Sequence, residues 1–341
     1  MHELIEGLFL EYLRNPLLER LEDQAVFEIS PLAGVITSKE SHGHGTTRLA
    51  YTTDSYVVSP IFFPGGDIGK LAVNGTVNDL AMSGARPLYL SAGFILEEGF
   101  LIEDLRRILA SMQAAAAEAN VSVITGDTKV VQKGSADKLF INTSGIGVIE
   151  SSVDCSAART QPGDKVILSG SLGDHGTTIM IARGELELET EIESDCAPLN
   201  SLVAEMIDEA ARNSSLAGMH SLRDPTRGGL ATTLNEIASS AEVCIEIAEE
   251  LIPVREEVKG ACEILGLDPL YVANEGKLVA IVTAELAEAM VERMKQNQYG
   301  HDACIIGEVK AEPRGIVTMR TGFGGTRIVD MLVGEQLPRI C

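Results

Sequence analysis

The clearest helical pattern in the chain runs through residues 98–120. Apolar residues from Leu105 to Met112 recur at the spacing that places side chains on one face of a helix, and a run of alanines follows them. The apolar segment 121–125 comes next and predicts a buried strand. The segment 139–149, which contains several glycines, predicts another strand. The first half of the chain therefore combines a long helix with strands.

A second series of elements begins after Cys155. The turn Gln161-Pro-Gly-Asp164 leads into a strand at 165–169, which runs into a glycine-containing turn. Helical patterns follow near residues 197–212, 226–240, 255–265 and 284–297. Strand patterns lie at residues 243–248, 278–283, 304–309 and 315–320. This mixture predicts an α/β protein with α+β layers in two halves, divided near residues 151–161.

The composition narrows the classes of protein to which this chain can belong. Its 341 residues allow two domains of ordinary size, and 45% hydrophobic with 23% charged residues is typical of a soluble globular protein. A net charge of −23 repels nucleic acid and anionic membrane surfaces, so we expect neither as a partner. An acidic protein can still bind a nucleotide if it first binds metal ions. The acidic stretch Gly184–Asp195 is interpreted as a solvated surface segment.

The N-terminus and the cysteines indicate a cellular compartment. Residues 1–6 lack the basic start and the long apolar stretch of a secretory leader, and no apolar run in the sequence approaches membrane-spanning length. The six cysteines include no C-x-x-C pair, and their spacings suit neither a zinc site nor an iron–sulfur cluster. We therefore expect a cytoplasmic protein with reduced thiols.

Four short segments place an acidic residue in a turn beside small residues, next to a strand or to the start of a helix. They are Thr52–Ser55, Val77–Leu80, Gly126–Lys129 and Arg223–Gly229. Carboxylates on separate loops are how proteins bind Mg²⁺, which takes oxygen ligands and keeps waters for substrate phosphates. Together the segments favour a Mg²⁺ site built from Asp54, Asp79, Asp127 and Asp224. The alternative for each is an ordinary helix N-cap, and Asp224 before Pro225 fits that role well.

Glycine-containing turns offer two possible phosphate sites, because a helix N-terminus presents free N–H groups and the positive end of the helix dipole. They are residues 224–230 and 170–176, and for 170–176 we favour the alternative of a simple helix start. Two familiar nucleotide motifs are excluded. The segment Gly65–Leu71 is not a P-loop, because Leu71 stands where Ser or Thr must contact Mg²⁺. The segment Gly322–Thr326 lacks the spacing of a dinucleotide fingerprint.

The chain ends in a cysteine on the segment Met331–Cys341. Gly334 supplies a hinge and Pro338 stiffens the segment, so the thiol of Cys341 could visit more than one active site. The terminal carboxylate should oppose thiolate formation, which Arg339 could offset. The alternative is a frayed terminus that happens to end in cysteine.

Glu275 is a second candidate for chemistry. It stands between Asn274 and Gly276, directly before the predicted strand that starts at Lys277. A Glu at a strand edge can act as a general base if it is partly desolvated. The alternative is a surface residue in a turn.

One set of stretches spans nearly the whole chain: Thr52–Val58, Phe63–Leu71, Val77–Ala81, Gly84–Pro87, Gly126–Val130, Gly173–Gly176, Arg223–Leu230, Asn274–Gly276 and Gly334–Cys341. In these stretches the chain resembles the HypE family of hydrogenase maturation proteins, in the PurM-like superfamily of aminoimidazole ribonucleotide synthetase and selenophosphate synthetase. The aspartate segments are shared across the superfamily, whereas the ending Pro-Arg-Ile-Cys is specific to the family. The Gly-rich segment with which the family usually begins is absent before Met1, so the chain is truncated or lacks this phosphate cover. Residues 34–46 look longer than usual, and His42 and His44 are interpreted as part of an exposed loop.

The resemblance implies a PurM-like two-domain fold. Residues 1–155 would form an N-terminal ATP-binding domain whose sheet pairs with that of a second copy in a homodimer. Residues 156–330 would form a C-terminal α/β domain, and residues 331–341 a mobile tail that carries Cys341.

The resemblance also implies a reaction and its partners. A HypF-type carbamoyltransferase would place a carbamoyl group on Cys341, and this protein would use ATP to dehydrate that group to a thiocyanate. The cyano group would pass to iron on a HypC–HypD-type complex, as a ligand for the [NiFe] hydrogenase centre.

The same resemblance implies roles for particular residues. Cys341 would be the carrier, Glu275 the base, and Lys129 the cation that neutralises or orients the phosphorylated intermediate. The residues that would bind Mg²⁺, and through it ATP, are Asp54, Asp79, Asp127 and Asp224. Further contacts to the nucleotide would come from Asn78, Thr128 and Arg227.

Two other functions remain open from the sequence. A selenophosphate-synthetase-like phosphotransferase would keep its reactive Cys or Sec near the N-terminus, and no cysteine here precedes Cys155. A non-catalytic scaffold would use Cys341 only to bind iron or a partner, and would not bind ATP with Mg²⁺.

Overall fold

The structure is a computed structural model that describes residues 24–29, 47–149, 152–184, 190–213, 215–332 and 339–341. The proposed hinge residues Gly334 and Pro338, and the segment that contains His42 and His44, lie outside the described residues. Among the described helices, none is long and apolar enough to cross a membrane.

The first 149 residues supply a five-stranded sheet with the strand order β1-β2-β7-β5-β6. Its strands are β1 (Ala25–Ile29), β2 (Thr47–Tyr56), β5 (Arg86–Glu97), β6 (Ser122–Val131) and β7 (Leu139–Ile149). The strands β5 and β6 run parallel, and the other neighbours in the sheet run antiparallel. A small hairpin is formed by β3 (Phe62–Phe63) and β4 (Gly66–Asp67).

Two helices, α1 (Ile68–Met82) and α2 (Ile102–Glu118), cover one face of this sheet. Asp67 begins α1, because its Oδ1 atom accepts the N–H of Gly69 at 2.7 Å. Gly69 also allows close packing, since a Cβ atom there would lie 2.6 Å from the backbone oxygen of Ile108 in α2. The sequence therefore sets both the start of α1 and its approach to α2.

The second half supplies a seven-stranded sheet with the order β14-β13-β10-β12-β8-β11-β9. Its strands are β8 (Lys165–Leu168), β9 (Met219–Arg223), β10 (Cys244–Ala248), β11 (Val279–Val282), β12 (Cys304–Lys310), β13 (Ile316–Arg320) and β14 (Thr326–Val329). The helices of this half are α3 (Asp174–Ala182), α4 (Asn200–Arg212), α5 (Gly229–Ala241), α6 (Glu256–Leu265) and α7 (Ala284–Met294).

Helices pack on both faces of the seven-stranded sheet. Ile167 of β8 packs in a cluster with residues of α4 and α7, whereas its neighbours Val166 and Leu168 pack in a cluster with residues of α5. This alternation is the two-residue period of a strand that is buried on both sides. Ala81 and Met82 at the end of α1 join the α4 and α7 cluster, so the two halves of the chain share buried contacts.

The strongest patterns of the sequence correspond closely to observed elements. The helix predicted at 98–120 is α2, and the strand predicted at 139–149 is β7 with the same bounds. The interpretation of residues 184–195 as a solvated segment is wrong for its end, since Ile192, Ser194 and the side chain of Asp195 are buried.

The placement of the aspartates in turns is wrong for three of the four residues. Asp54 lies inside β2, Asp79 inside α1 and Asp127 inside β6. The N-cap alternative for Asp224 is also wrong, because α5 begins after Gly228, which adopts the left-handed conformation with φ at 76°. These two corrections concern the local structure around the four aspartates, and they do not exclude the residues from a functional site. They change which face of the sheet, or which loop, carries each carboxylate.

Candidate active site

The C-terminal residues dock against the segment that follows β2. The N–H of Val57 donates to the backbone oxygen of Cys341 at 3.1 Å, and the N–H of Ser59 donates to that of Arg339 at 3.2 Å. The side chain of Ile340 is buried in the core cluster of the first half of the chain. The end of the chain is therefore packed in place and is not a frayed terminus.

The docked thiol of Cys341 lies in an acidic, desolvated environment. Desolvation is the main cause that raises its pKa well above the usual value, and the neighbouring carboxyl of Glu275 raises it further, also through a side-chain hydrogen bond. Arg227 opposes these effects. Arg339, expected from the sequence to play that part, instead pairs with Asp137. The docked thiol is thus held in its neutral form.

Glu275 is buried, with 4% of its surface exposed, so it is not a surface turn residue. Its loop is fixed by Asn274, whose Oδ1 accepts the N–H of Gly173 at 2.8 Å and whose Nδ2 donates to the backbone oxygen of Pro225 at 2.9 Å. Burial is the first cause that raises the pKa of Glu275 well above its usual range. Nearby carboxylates contribute to the same shift: Asp224, Asp195 and Asp54.

Alternate residues of β2, among them Asp54, face helix α1. Asp79 belongs to α1 and therefore lies on the same side of the sheet as Asp54. Thr52 donates from its hydroxyl to Oδ2 of Asp79 at 2.8 Å, and Tyr56 lies 3.4 Å from the hydroxyl of Thr76. Desolvation raises the pKa of Asp54, while the N–H of Ser55, 2.7 Å away, lowers it. The charges of Asp54 and Asp79 both raise the pKa of Tyr56.

The loop after β9 carries Asp224 and Arg227 to the same place. The guanidinium of Arg227 lies 4.0 Å from Oδ1 of Asp54 and lowers the pKa of that carboxyl. Its side chain is 58% exposed, so it can still reach a ligand. One carboxylate-rich site thus combines Asp54 from the first half of the chain with Asp224, Glu275 and the terminal Cys341.

Asn78 has a different environment from the one that a nucleotide contact would require. It is buried in α1, its Nδ2 donates to the backbone oxygen of Ala197 at 3.0 Å, and its Oδ1 accepts the N–H of Leu199 at 2.7 Å. These bonds join α1 to the segment before α4. In this structure Asn78 supports the site by holding its two halves together.

Asp127, Thr128 and Lys129 lie apart from this site. The register places Asp54 opposite Thr143, Thr143 opposite Ala92, and Ala92 opposite Gly126, so Asp127, one residue further, points to the other face. Three strand spacings, about 14 Å, separate β2 from β6.

Asp127 and Lys129 are exposed and pair at 3.3 Å. The N–H of Thr128 is the first cause that lowers the pKa of Asp127, and Lys129 is the second. A single chain therefore does not bring these residues to Cys341.

Two further residues of the site, Asp195 and Cys196, were not predicted from the sequence to belong to it. Asp195 accepts the N–H of Glu275 at 3.1 Å and pairs with Lys277 at 3.1 Å. The thiol of Cys196 has its pKa raised to values at which it stays protonated, first by burial and then by Glu275. Within the described ranges, no three His, Cys, Asp or Glu side chains are grouped closely enough to hold a metal ion by themselves.

The chain is similar to known proteins in both of its halves. The N-terminal domain of AIR synthase related proteins matches residues 22–149, and their C-terminal domain matches residues 161–320. The chain is 54% identical to carbamoyl dehydratase HypE of Bradyrhizobium diazoefficiens, over all of this chain and 93% of that protein. It is similar to a crystal structure of a HypE–HypF complex, with a TM-score of 0.86 and 47% identity over 96% of this chain and 99% of that one. A crystal structure of HypE in complex with ATP gives a TM-score of 0.82 and 48% identity over 100% and 96%.

Proposed function

Because the chain belongs to the AIR synthase related family, among the HypE carbamoyl dehydratases, we propose that it uses ATP to dehydrate an S-carbamoyl group on its own Cys341. The product is a thiocyanate, which supplies the cyanide ligand for the iron of [NiFe] hydrogenase. The observation that supports this most strongly is the docked C-terminus, which places the thiol of Cys341 against the buried carboxyl of Glu275. A carrier and a base in contact are what a dehydration in place requires.

The chemistry divides between the nucleotide and the residues of the site. Bound ATP would supply a phosphoryl group that turns the carbamoyl oxygen into a phosphate leaving group and would leave as ADP, while the carbamoyl nitrogen releases one proton to water as the C–O–P link forms. Glu275 then removes the second N–H proton while the C–O bond breaks and the C≡N bond forms. A raised pKa makes the ionised Glu275 a stronger base than an ordinary carboxylate.

The donor set of the site fits Mg²⁺ with a nucleotide. Asp54, Asp79 and Asp224 offer carboxylate oxygens, and Mg²⁺ commonly takes one or two of these and completes its shell with waters and phosphates. The nearby carboxylates raise the pKa of Glu275 more than Arg227 lowers it. A cation bound there would offset the charge of these carboxylates and favour the ionised form of Glu275. Arg227 is exposed and placed to contact a phosphate.

We assign Asp127, Thr128 and Lys129 to the site of a second copy in a homodimer. The side chains of Asp127 and Lys129 project from the uncovered face of the five-stranded sheet, which also exposes Tyr51 and Tyr89 at 46% and 47%, and Thr128 lies between them on β6. Pairing two such faces would bury these rings and carry the polar group of one chain towards the carboxylate site of the other. Residues 1–155 and 156–330 are the two domains of each chain in this proposal.

The docked tail also bears on the partners. A neutral, partly buried thiol is a poor nucleophile, so Cys341 has to leave this position to be carbamoylated. We propose that a HypF-type carbamoyltransferase loads the undocked tail, and that a HypC–HypD-type iron complex later receives the cyano group from it. Residues 331–341 then act as the mobile carrier between these positions.

The test is the intact mass of the C-terminal peptide after incubation with an active carbamoyltransferase, carbamoyl phosphate and Mg-ATP. We expect the gain of one carbamoyl group on Cys341, followed by the loss of one water. The Cys341→Ala chain should show neither change. An unmodified Cys341 in the presence of an active partner would contradict the carrier role, and a stable carbamoyl group would contradict the dehydratase.

A further inference from the structure

His175 contacts the docked tail from the first turn of α3. Its ring is fully buried and packs edge-on against Phe63, with ring centroids 5.6 Å apart. One ring nitrogen, Nε2, lies 2.8 Å from the backbone oxygen of Ile340, and the other, Nδ1, lies 2.8 Å from Oγ of Ser194. Both polar atoms of the ring are therefore engaged, one of them by the tail itself.

The acceptor on the tail fixes the protonation of the ring. A carbonyl oxygen can only accept, so Nε2 carries the hydrogen and Nδ1 accepts the hydroxyl proton of Ser194. Burial lowers the pKa of His175, which agrees with a neutral ring. The same Ser194 hydroxyl oxygen accepts the N–H of Cys196 at 3.2 Å. The donor and the acceptor are therefore fixed for each of these three hydrogen bonds.

The segment Ser194–Cys196 connects this histidine to the loop of Glu275. Oδ1 of Asp195 accepts the N–H of Glu275 at 3.1 Å. The backbone oxygen of Asp195 would lie 1.8 Å from a Cβ atom at Gly276, so the two segments touch where only glycine fits. A shift in the position of Ser194 can therefore displace the loop of Glu275 through these direct contacts.

We propose that His175 is a positioning residue, which recognises the docked tail through the carbonyl oxygen of Ile340 and, through Ser194–Cys196, holds the Glu275 loop in register with Cys341. The recognition is of main chain, so it does not depend on whether the sulfur of Cys341 carries a carbamoyl group. The part that concerns Glu275 rests on the function proposed above. The part that concerns docking does not.

The docking part is tested by the rate at which iodoacetamide alkylates Cys341, followed by the mass of the C-terminal peptide. His175→Leu removes the donor to Ile340, and we expect alkylation about tenfold faster, the effect of losing one buried hydrogen bond. His175→Gln keeps a donor near the position of Nε2 and should give a smaller increase. Ser194→Ala leaves the ring in place but removes its orienting hydroxyl, and should also give a smaller increase.

His220 supplies the matched control. It is another buried histidine, 2.7 Å from Asp164, and none of its hydrogen bonds within the described part of the chain is to residues 339–341. His220→Gln should leave the alkylation rate of Cys341 unchanged. Equal increases in His220→Gln and His175→Leu would show general loosening and overturn the proposal, as would a wild-type rate in a folded His175→Leu chain.

The coupling to Glu275 is tested with chains that already carry the carbamoyl group. In a single turnover with Mg-ATP, His175→Leu should dehydrate about tenfold more slowly, with loading by the carbamoyltransferase unchanged or faster. A faster alkylation with unchanged dehydration would overturn the coupling. If the wild-type chain never dehydrates, the proposed function fails, whereas the alkylation rates still decide the docking role.

Discussion

The two faces of the five-stranded sheet shift the pKa values of their aspartates in opposite directions. On the covered face, Asp54 lies beneath helix α1, and desolvation raises its pKa. On the uncovered face, Asp127 is exposed, and the N–H of Thr128 with the charge of Lys129 lowers its pKa. The charged form of Asp54 is destabilised by desolvation, whereas the charged form of Asp127 is stabilised by its neighbours while exposed to water. The comparison suggests that the covered face forms the reaction site and the uncovered face presents groups to a second molecule.

The largest expected effect is on the covered side. Glu275→Gln keeps the shape of the side chain and removes the base, so dehydration of a carbamoylated chain should fall by about 10²–10⁴-fold. Loading of Cys341 should be unaffected, because the undocked tail does not need Glu275. The measurement is a single-turnover rate with Mg-ATP. Glu246→Gln, on β10 and outside the site, is the matched control. Dehydration at the wild-type rate in Glu275→Gln would remove this residue from the mechanism.

The uncovered face should give a smaller effect with an unusual signature. Asp127→Ala is expected to lower dehydration by about tenfold, since it removes one charged contact to the nucleotide or its metal. In a homodimer that shares its sites, the Asp127→Ala and Glu275→Gln chains should complement each other. Random mixing makes half of the dimers mixed, each with one intact site, so about a quarter of the wild-type activity should return.

Complementation is measured after the two variants are mixed under conditions that exchange subunits, with each variant alone as the control. Activity that stays at the average of the two variants would mean that Asp127 acts on its own chain or not at all. The register of β2 and β6 argues against its own chain, because it puts Asp54 and Asp127 on opposite faces.

The sequence predicted those elements whose pattern is local. Helix α2 has one apolar face, so its presence followed from periodicity, with predicted bounds a few residues wider than the observed ones. The strand β7 was predicted with its observed bounds. Helix α1 gave no such pattern, because almost all of its residues are buried and it has no polar face to contrast with an apolar one. Its Asp79 was consequently placed in a turn. The resemblance named Cys341 and Glu275 together, and yet their contact could not be derived from spacing.

Long-range contacts explain that gap. The bond between His175 and Ile340 joins residues 165 positions apart, and Asn78 holds segments more than a hundred residues away. No periodicity reports a pairing of this kind, because it is fixed by the packing of the two sheets and not by neighbours in sequence. The acidic segment that ends in Asp195 was misjudged for the same reason: its charge suggested solvent, whereas Lys277 compensates it in the interior.

The smallest expected effect is on the free energy of unfolding. Its dependence on pH should have opposite signs for Glu275 and for Asp127 on the uncovered face. In the folded chain the pKa of Glu275 lies well above the usual value of 4.5. Between those two values the folded state binds a proton that the unfolded chain has released, so the free energy of unfolding falls as the pH rises through this window. Glu275→Gln has no proton to lose. We therefore expect equal Tm values for wild type and Glu275→Gln near pH 4, and a Tm about 2–4 °C higher for the variant at pH 8 without nucleotide.

Asp127→Asn is the comparison on the uncovered face. The lowered pKa of Asp127 means that its contribution is present above the usual carboxyl pKa and is lost as the pH falls, which is the opposite direction. Because Asp127 is exposed, the change in Tm should be small at every pH. Thermal melts of the three chains from pH 4 to pH 8 measure both signs. A Glu275→Gln chain less stable than wild type at pH 8 would show that the charge of Glu275 is already compensated, and the site would then need no added cation to ionise its base.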